Sequence, residues 1–254
     1  MDIAITREVS RSISKCELTY LEREVIDLDR ARKQHALYEA TLRSTGLAVL
    51  TLPEEPDMPD AVFVEDVALV LDECAIILRP GAESRRGETQ SVAAVLSHFR
   101  DLRHMESPAH ADGGDLLRLG RRIYMGVTPR SDTQAYEQLQ GMLQPIGYTM
   151  VPVQVTGCLH LKSAATKVAD EVLLVNPEWV DPHLFGDVKI IEVDPSEGYG
   201  ANTLRLGETT VCSAAFPKTA DLVRREGIQT VSIEADELAK AEGALTCCSL
   251  IFSI

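Results

Sequence analysis

The sequence predicts an α/β protein built as a ring of five strand-pair units. Three observations carry that prediction. Short apolar strands alternate with amphipathic helices along the 254 residues, with no linker and no low-complexity stretch. Two stretches, DLLRLGRRIYMGV at 115–127 and NTLRLGETTVCSA at 202–214, resemble each other. Both read as strand, short glycine-containing turn, strand and then helix, the self-similarity of a repeat architecture. The first and last apolar runs, DIAITR and SLIF, also read as strands that can pair, so the two ends close a fifth unit. Such a ring turns the beginnings of its units toward one centre. A two-domain α/β chain is the alternative, but no boundary in composition supports it, and one domain over residues 1–254 is expected.

Taken in order, AVFVEDVALVL predicts a strand over 61–71 and CAIILRP its partner over 74–80. DLLRLG at 115–120 and RIYMGV at 122–127 form the next pair, and EVLLV at 171–175 belongs to a unit near 165–175. Further strands are VKIIEV at 188–193, NTLRLG at 202–207, ETTVCSA at 208–214 and SLIF at 249–252. Helices follow from apolar residues spaced by three and four. Val92, Val95, Leu96 and Phe99 mark one over 87–99; Ala135, Leu139, Met142 and Leu143 mark another over 132–145. The same spacing places helices over 30–44, 217–226 and 234–240.

Composition narrows the function. Hydrophobic residues make up 45% of the chain and charged residues 25%, an ordinary globular balance. The net charge of −14 argues against nucleic acid and anionic membranes as partners. No apolar run is long enough to span a bilayer, and MDIAITREVSRS lacks the apolar core of a signal peptide, so a cytoplasmic location is expected. The six cysteines, at 16, 74, 158, 212, 247 and 248, contain no C-x-x-C pair and read as reduced thiols. Most should be inert core residues, Cys74 and Cys212 among them, because free cysteine is commonly buried.

The unit beginnings hold PDAVFVED (59–66), HADGGD (110–115), CLHLKS (158–163), GYGAN (198–202) and EGALTCCS (242–249). If five units converge, these supply a thiol, an imidazole and several carboxylates to one place. A thiolate beside a histidine oriented by a carboxylate is the recurring form of a cysteine nucleophile. Each block has a plainer reading. His160 could be a satisfied, half-buried histidine, DGGD a hairpin turn, VFVED a strand ending in a solvated acidic pair. SRRGE could start a surface helix with Ser84 and Glu88 as a capping pair. Cys247 and Cys248 could both be core. Their joint occurrence in this order favours chemistry.

The order PDAVFVED, RPGAESRRGE, HADGGD, HLKS and EGALTCCS resembles dimethylarginine dimethylaminohydrolase, over essentially the whole chain. That family belongs to the guanidine-modifying superfamily, so the resemblance implies a five-bladed α/β propeller of ββαβ units in a single catalytic domain. It implies Cys247 as nucleophile, His160 as acid and base, and Asp112 as the carboxylate partner of His160. It implies that Asp60, Glu65 and Asp66 bind substrate, with Asp66 facing the guanidinium. Arg85 and Arg130 would hold the α-carboxylate, a role suited to a planar bidentate fork. Leu18, Ala241 and Glu242 would grip the α-amino end. Cys247 and Cys248 are expected on a strand, where neighbours face opposite ways, so that one reacts and the other packs.

The implied reaction is hydrolysis of Nω-methylated arginines to citrulline and a methylamine, with no metal or organic cofactor. Zinc could bind adventitiously at Cys247 as an inhibitor. Lys162 stands where arginine deiminase has an aspartate in an HLD motif, which favours methylated over free arginine. The alternatives are an arginine deiminase-like or citrullinase-like hydrolase and a non-catalytic sensor of arginine derivatives. The expected partner is a small molecule, with no nucleic acid and no membrane, and the chain is expected to be a monomer or homodimer.

Overall fold

The computed structural model describes residues 1–254. In chain order it begins with β1 (Asp2–Arg7), α1 (Leu28–Ser44) and β2 (Ala48–Leu52). There follow β3 (Ala68–Val70), β4 (Ala75–Ile77), α2 (Thr89–Leu96) and β5 (Leu102–His104). The next unit is β6 (Leu116–Leu119), β7 (Arg122–Val127), α3 (Thr133–Leu143) and β8 (Thr149–Gln154). A short α4 (Leu161–Ala164) leads into β9 (Ala165–Ala169), β10 (Val172–Val175) and β11 (Lys189–Glu192). The last stretch is β12 (Leu204–Leu206), β13 (Thr209–Ser213), α5 (Pro217–Arg225), β14 (Gln229–Ile233), α6 (Asp236–Ala239) and β15 (Leu250–Ser253).

These strands form five separate three-stranded sheets. In each, the central strand runs antiparallel to one neighbour and parallel to the other, as in β3–β4–β5 and β6–β7–β8. A parallel neighbour needs a crossover, and α2, α3 and α5 supply it in three blades. The blade β9–β10–β11 crosses instead through a loop with a 3₁₀ turn at Pro182–Phe185. The fifth blade takes β15 from one end and β1 from the other, with Ile3 opposite Phe252 and Ile5 opposite Leu250. The expected ring, its five units and its terminal closure are all present.

The first strand of every blade, β3, β6, β9, β12 and β15, lines one cleft of about 280 Å³, so the five surround a common axis. The apolar core is divided into patches between and behind the sheets. In one, Tyr38 and Leu42 of α1 pack against Ala4 of β1 with Phe63, Cys247 and Cys248. No helix is long and apolar enough to cross a membrane.

Two expectations need correction. Only Ala68–Val70 of the strand proposed over 61–71 is extended, because Val64–Val67 closes into a 3₁₀ turn. The carbonyls of Asp60 and Phe63 accept from the buried Arg85 guanidinium, which fixes this turn against the strand tendency of its apolar residues. Cys247 and Cys248 lie in a turn ahead of β15 and not on a strand. Their opposite orientations survive for a different reason, described below.

Candidate active site

The loops preceding the first strands meet at one end of the axis. There a cavity of about 10 Å³, room for about one water, is lined by Asp60, Asp66, Arg85, Arg130, His160, Ala241, Glu242 and Cys247, together with Glu17, Phe63, Leu159 and Gly243. Eight expected site residues therefore converge from segments as far apart in the chain as Asp60 and Cys247. Asp112 lies directly behind, wholly buried, its Oδ2 3.0 Å from Nε2 of His160. Asp112 is held in turn by the Gly81 N–H at Oδ1 (2.9 Å) and lies 3.8 Å from Arg130 Nη1.

The DGGD block is a 3₁₀ turn over Gly113–Asp115, and its glycines are there for clearance. A Cβ on Gly113 would fall 1.9 Å from the Glu65 carbonyl, and one on Gly114 would fall 2.6 Å from Nδ1 of His160. A side chain at 114 would push the imidazole away, and one at 113 would displace the Glu65 backbone. The SRRGE block is also not the capping motif its sequence allowed. Glu88 takes Nε and Nη2 of Arg85 at 2.9–3.2 Å, and Nη1 of Arg85 bonds Asp66 Oδ2 at 2.6 Å. Arg85 is thus almost fully committed inside the protein. Arg130 is less so, with one guanidinium hydrogen bond, from Nη2 to Thr19 Oγ1 at 3.2 Å, beside the longer ion pair with Asp112.

The electrostatics favour a protonated imidazole beside an un-ionised thiol. Burial alone would lower the His160 pKa, but Asp66, the hydrogen bond with Asp112 and the field of Asp115 together raise it to about 9. Burial would raise Asp66, yet His160 and Arg85 bring it down to about 2. Cys247 is pushed well above the usual thiol value by burial and then by the Glu65 and Asp66 carboxylates. Burial also lifts Glu88 to about 7, against the pull of Arg85.

Two expected residues sit elsewhere. Glu65 faces the axial cleft, where its carboxylate accepts from Lys162 Nζ (2.6 Å) and Thr246 Oγ1 (2.7 Å). Residues 65 and 66 are neighbours on one tight turn and so project to opposite sides of the layer separating cleft from cavity. Lys162 is drawn the same way, paired with Glu65, and does not line the cavity. Lys162→Asp should therefore destabilise the fold by about 3 kcal/mol, the cost of breaking a largely buried pair and setting two carboxylates together. The melting temperature measures it; an unchanged melting temperature would contradict this role. Leu18 packs against the cluster containing Phe63 and Cys247 and leaves the cavity edge to Glu17.

A lid covers the cavity. The N–H of Glu17 reaches both oxygens of Asp60 at 3.1 and 3.3 Å. The N–H groups of Thr19, Tyr20 and Leu21 all donate to the Glu242 carboxylate, at 2.5–3.0 Å. Glu242 has φ of 57°, a left-handed conformation uncommon for a residue with a side chain. A larger cavity of about 380 Å³ lies beyond Glu242, Gly243 and Leu159, with Tyr20 and Leu21 in its wall, but it contains neither thiol nor imidazole. The lid residues Glu17 and Thr19 carry no sequence signal of their own.

Cys248 turns from the cavity toward Tyr38, Leu238 and Leu245, and its Sγ donates to the Ala244 carbonyl at 3.5 Å. The other four cysteines are buried free thiols. Asp66, Asp112 and His160 place donor atoms within 4.8 Å of one another, a group that excludes Cys247. Their lone pairs are already engaged by Arg85, the Gly114 N–H and each other.

A thiol, an imidazole and a carboxylate, gathered with a second acid and an arginine at the axis of five α/β blades, define a hydrolase of the α/β-propeller class. The family model described as N,N dimethylarginine dimethylhydrolase, eukaryotic, matches residues 12–248. The chain belongs to the dimethylarginine dimethylaminohydrolase family. It is 36% identical to the N(G),N(G)-dimethylarginine dimethylaminohydrolase of Streptomyces coelicolor, across 97% of this chain and 95% of that one. It is 32% identical to the enzyme of that name from Pseudomonas aeruginosa, across 89% and 90%. A cysteine-to-serine variant of the Pseudomonas protein in complex with citrulline superposes with a TM-score of 0.94, at 31% identity and 98% coverage of both chains. The N-terminal domain of ArgZ, a cyanobacterial arginine dihydrolase, shares the fold at 18% identity, with a TM-score of 0.88 and coverage of 98% and 97%.

Proposed function

We propose that this protein hydrolyses Nω-methylated arginines, asymmetric dimethylarginine and monomethylarginine, to citrulline and dimethylamine or methylamine. The observation that carries the reading is one small cavity holding Asp66, His160 and Cys247 together with Arg130. That is a carboxylate for a guanidinium, a nucleophile with its acid, and a cation for the α-carboxylate of the same molecule.

The charges suggest an order of events. In the empty site burial, helped by the Glu65 and Asp66 carboxylates, keeps Cys247 as a thiol. A guanidinium paired with Asp66 offsets the carboxylate field, so Cys247 gives its proton to solvent and the thiolate forms once its target is present. It adds to the guanidinium carbon, and the imidazolium of His160 gives its proton to the departing amine as the C–N bond breaks. A water then adds to the resulting thiouronium, one of its protons passing to His160, and the C–S bond breaks as the remaining hydroxyl proton moves to the departing sulfur, releasing citrulline and the Cys247 thiol. Asp112 orients the imidazole throughout and stabilises it whenever it carries the proton. Asp60, Ala241 and Glu242, with the lid backbone, enclose the amino-acid end. No metal or organic cofactor takes part in these steps. A cytoplasmic location suits six reduced thiols, and one chain contains every group used, whether it works as a monomer or a homodimer.

Citrulline release from asymmetric dimethylarginine, with free arginine and citrulline analogues as comparison, is the deciding measurement. Release from free arginine alone would point to a deiminase. Arg130→Ala gives a sharper test of orientation. It should weaken use of methylarginine by about 10- to 100-fold, one charge-assisted pair of about 1.5–3 kcal/mol, and leave a bare methylguanidine almost unaffected. Equal losses would place Arg130 in the scaffold. Arg85 is unsuited to this test, since its removal strands Asp66 and Glu88 as buried charges.

A further inference from the structure

Asp115 closes the HADGGD block and has no part in the steps above, yet its side chain is completely buried. Three donors converge on it. Thr128 Oγ1 and Ser131 Oγ both donate to Oδ2 at 2.6 Å, and the N–H of Leu161, the residue after His160, donates to Oδ1 at 2.9 Å. Each hydroxyl passes the connection on. Ser131 Oγ accepts from the Asp112 N–H at 3.2 Å, and Thr128 Oγ1 accepts from the Arg130 N–H at 3.1 Å. The backbone of β7 is brought close to make the pocket, because a Cβ on Gly126 would lie 2.4 Å from Asp115 Oδ1.

We propose that Asp115 is a positioning residue for the hydrolytic reaction: through one carboxylate it fixes the segments that carry His160, Asp112 and Arg130 relative to one another. The inference rests on the reading of the site given above. Only a carboxylate satisfies the arrangement. With an asparagine, the NH₂ faces either the Leu161 N–H or the two hydroxyls, and each hydroxyl already accepts a backbone N–H and needs an acceptor for its own proton. At least one donor is then left buried without a partner. The charge matters as well. Burial raises Asp115 to about 6, against His160, the two hydroxyls and the Leu161 N–H, so it is ionised at neutral pH. It is one of three carboxylates, with Asp66 and Asp112, that sustain the imidazolium; Arg85 and Arg130 oppose them, and the thiols of Cys158 and Cys247 complete the ionisable surroundings.

The test compares three variants with the native chain, by kcat and KM for asymmetric dimethylarginine across pH and by the titration of His160 followed by NMR. Asp115→Asn should lower kcat by about 10- to 100-fold, since misplacing reacting groups by about 1 Å can cost on the order of 10²-fold. It should also move the His160 titration, and the alkaline limb of the rate, to lower pH. The hydroxyl variants separate the two branches. Ser131→Ala loosens Asp112 and should act on kcat, while Thr128→Val loosens Arg130 and should act on KM. If folded Ser131→Ala and Thr128→Val both keep native kcat and KM, Asp115 is only a packing residue and the inference fails; these two decide the matter even if Asp115→Asn does not fold. A native chain that released no citrulline would instead overturn the functional reading. The His160 titration in Asp115→Asn would still report on the positioning claim, and an unmoved titration would refute it.

Discussion

Cys247→Ser should fold as the native chain does and release no measurable citrulline, while Cys248→Ser keeps most of its turnover. The expected loss at Cys247 is on the order of 10⁶-fold, as for removal of other covalent nucleophiles. Cys247 lines the cavity with Asp66 and His160, whereas Cys248 faces the core beside Tyr38. A serine at 247 has the right shape, but its hydroxyl cannot ionise in a setting that already resists forming a thiolate. A serine at 248 can still donate to the Ala244 carbonyl and costs at most about 1–2 kcal/mol of stability. An electrophilic arginine analogue should label Cys247 alone, as read by peptide mass mapping. Equal losses in the two variants would show that the turn ahead of β15 matters only as structure.

The second large loss is expected at His160. His160→Ala removes the proton donor of the first half-reaction and the base of the second, each worth about 10²–10⁴-fold. The two steps can be told apart. An arginine analogue carrying a good leaving group needs no proton from His160, so the variant should form the covalent adduct and then stall there. Mass spectrometry would show the adduct persisting, and its rapid hydrolysis would remove His160 from the second step. In the native chain the rate should fall as pH rises through about 9, where the imidazolium loses its proton. Stability follows the same sign. The folded pKa lies above the unfolded 6.5, so this contribution is complete below pH 6.5 and is lost between 6.5 and about 9. Asp66 works oppositely: its contribution is present above pH 3.8 and lost as pH falls toward 2. In His160→Ala the melting temperature should no longer decline across the alkaline window.

The antiparallel pairs were legible in the sequence because their apolar alternation is local and their turns are short. Of their parallel third strands only β11, read as VKIIEV, was. AVLTL, LRH, TMVPVQ and QTVSI, which form β2, β5, β8 and β14, are largely half-exposed edge strands whose partners lie across a crossover. α1 starts two residues before the expected 30 because Asp27 caps it, its side chain accepting from the Arg30 N–H. At the site, the converging unit beginnings were enough to place Cys247, His160, Asp112, Asp60 and Asp66 together, and the family resemblance assigned their roles and added Arg130. Direction was the part that could not be read. Glu65 and Asp66 differ by one position and serve opposite sides of a layer, and only the pairing of Glu65 with Lys162 reveals it. Arg85 and Arg130 look alike in sequence, yet Asp66 and Glu88 hold one in close ion pairs while the other has only a 3.8 Å approach to Asp112.

Closure of the ring by β15 against β1 has a consequence for the timing of synthesis. Four blades are each made from one contiguous stretch, so they can complete as the chain leaves the ribosome. The fifth joins residues from opposite ends, the most non-local pairing in the molecule and the costliest loop to close. Cys247 stands on the turn that feeds this strand. A nascent chain can therefore have His160, Asp112 and Asp115 assembled while the thiol is still absent. The reactive sulfur is the last component delivered, and it reaches its carboxylates and its lid in the same event that seals the fold.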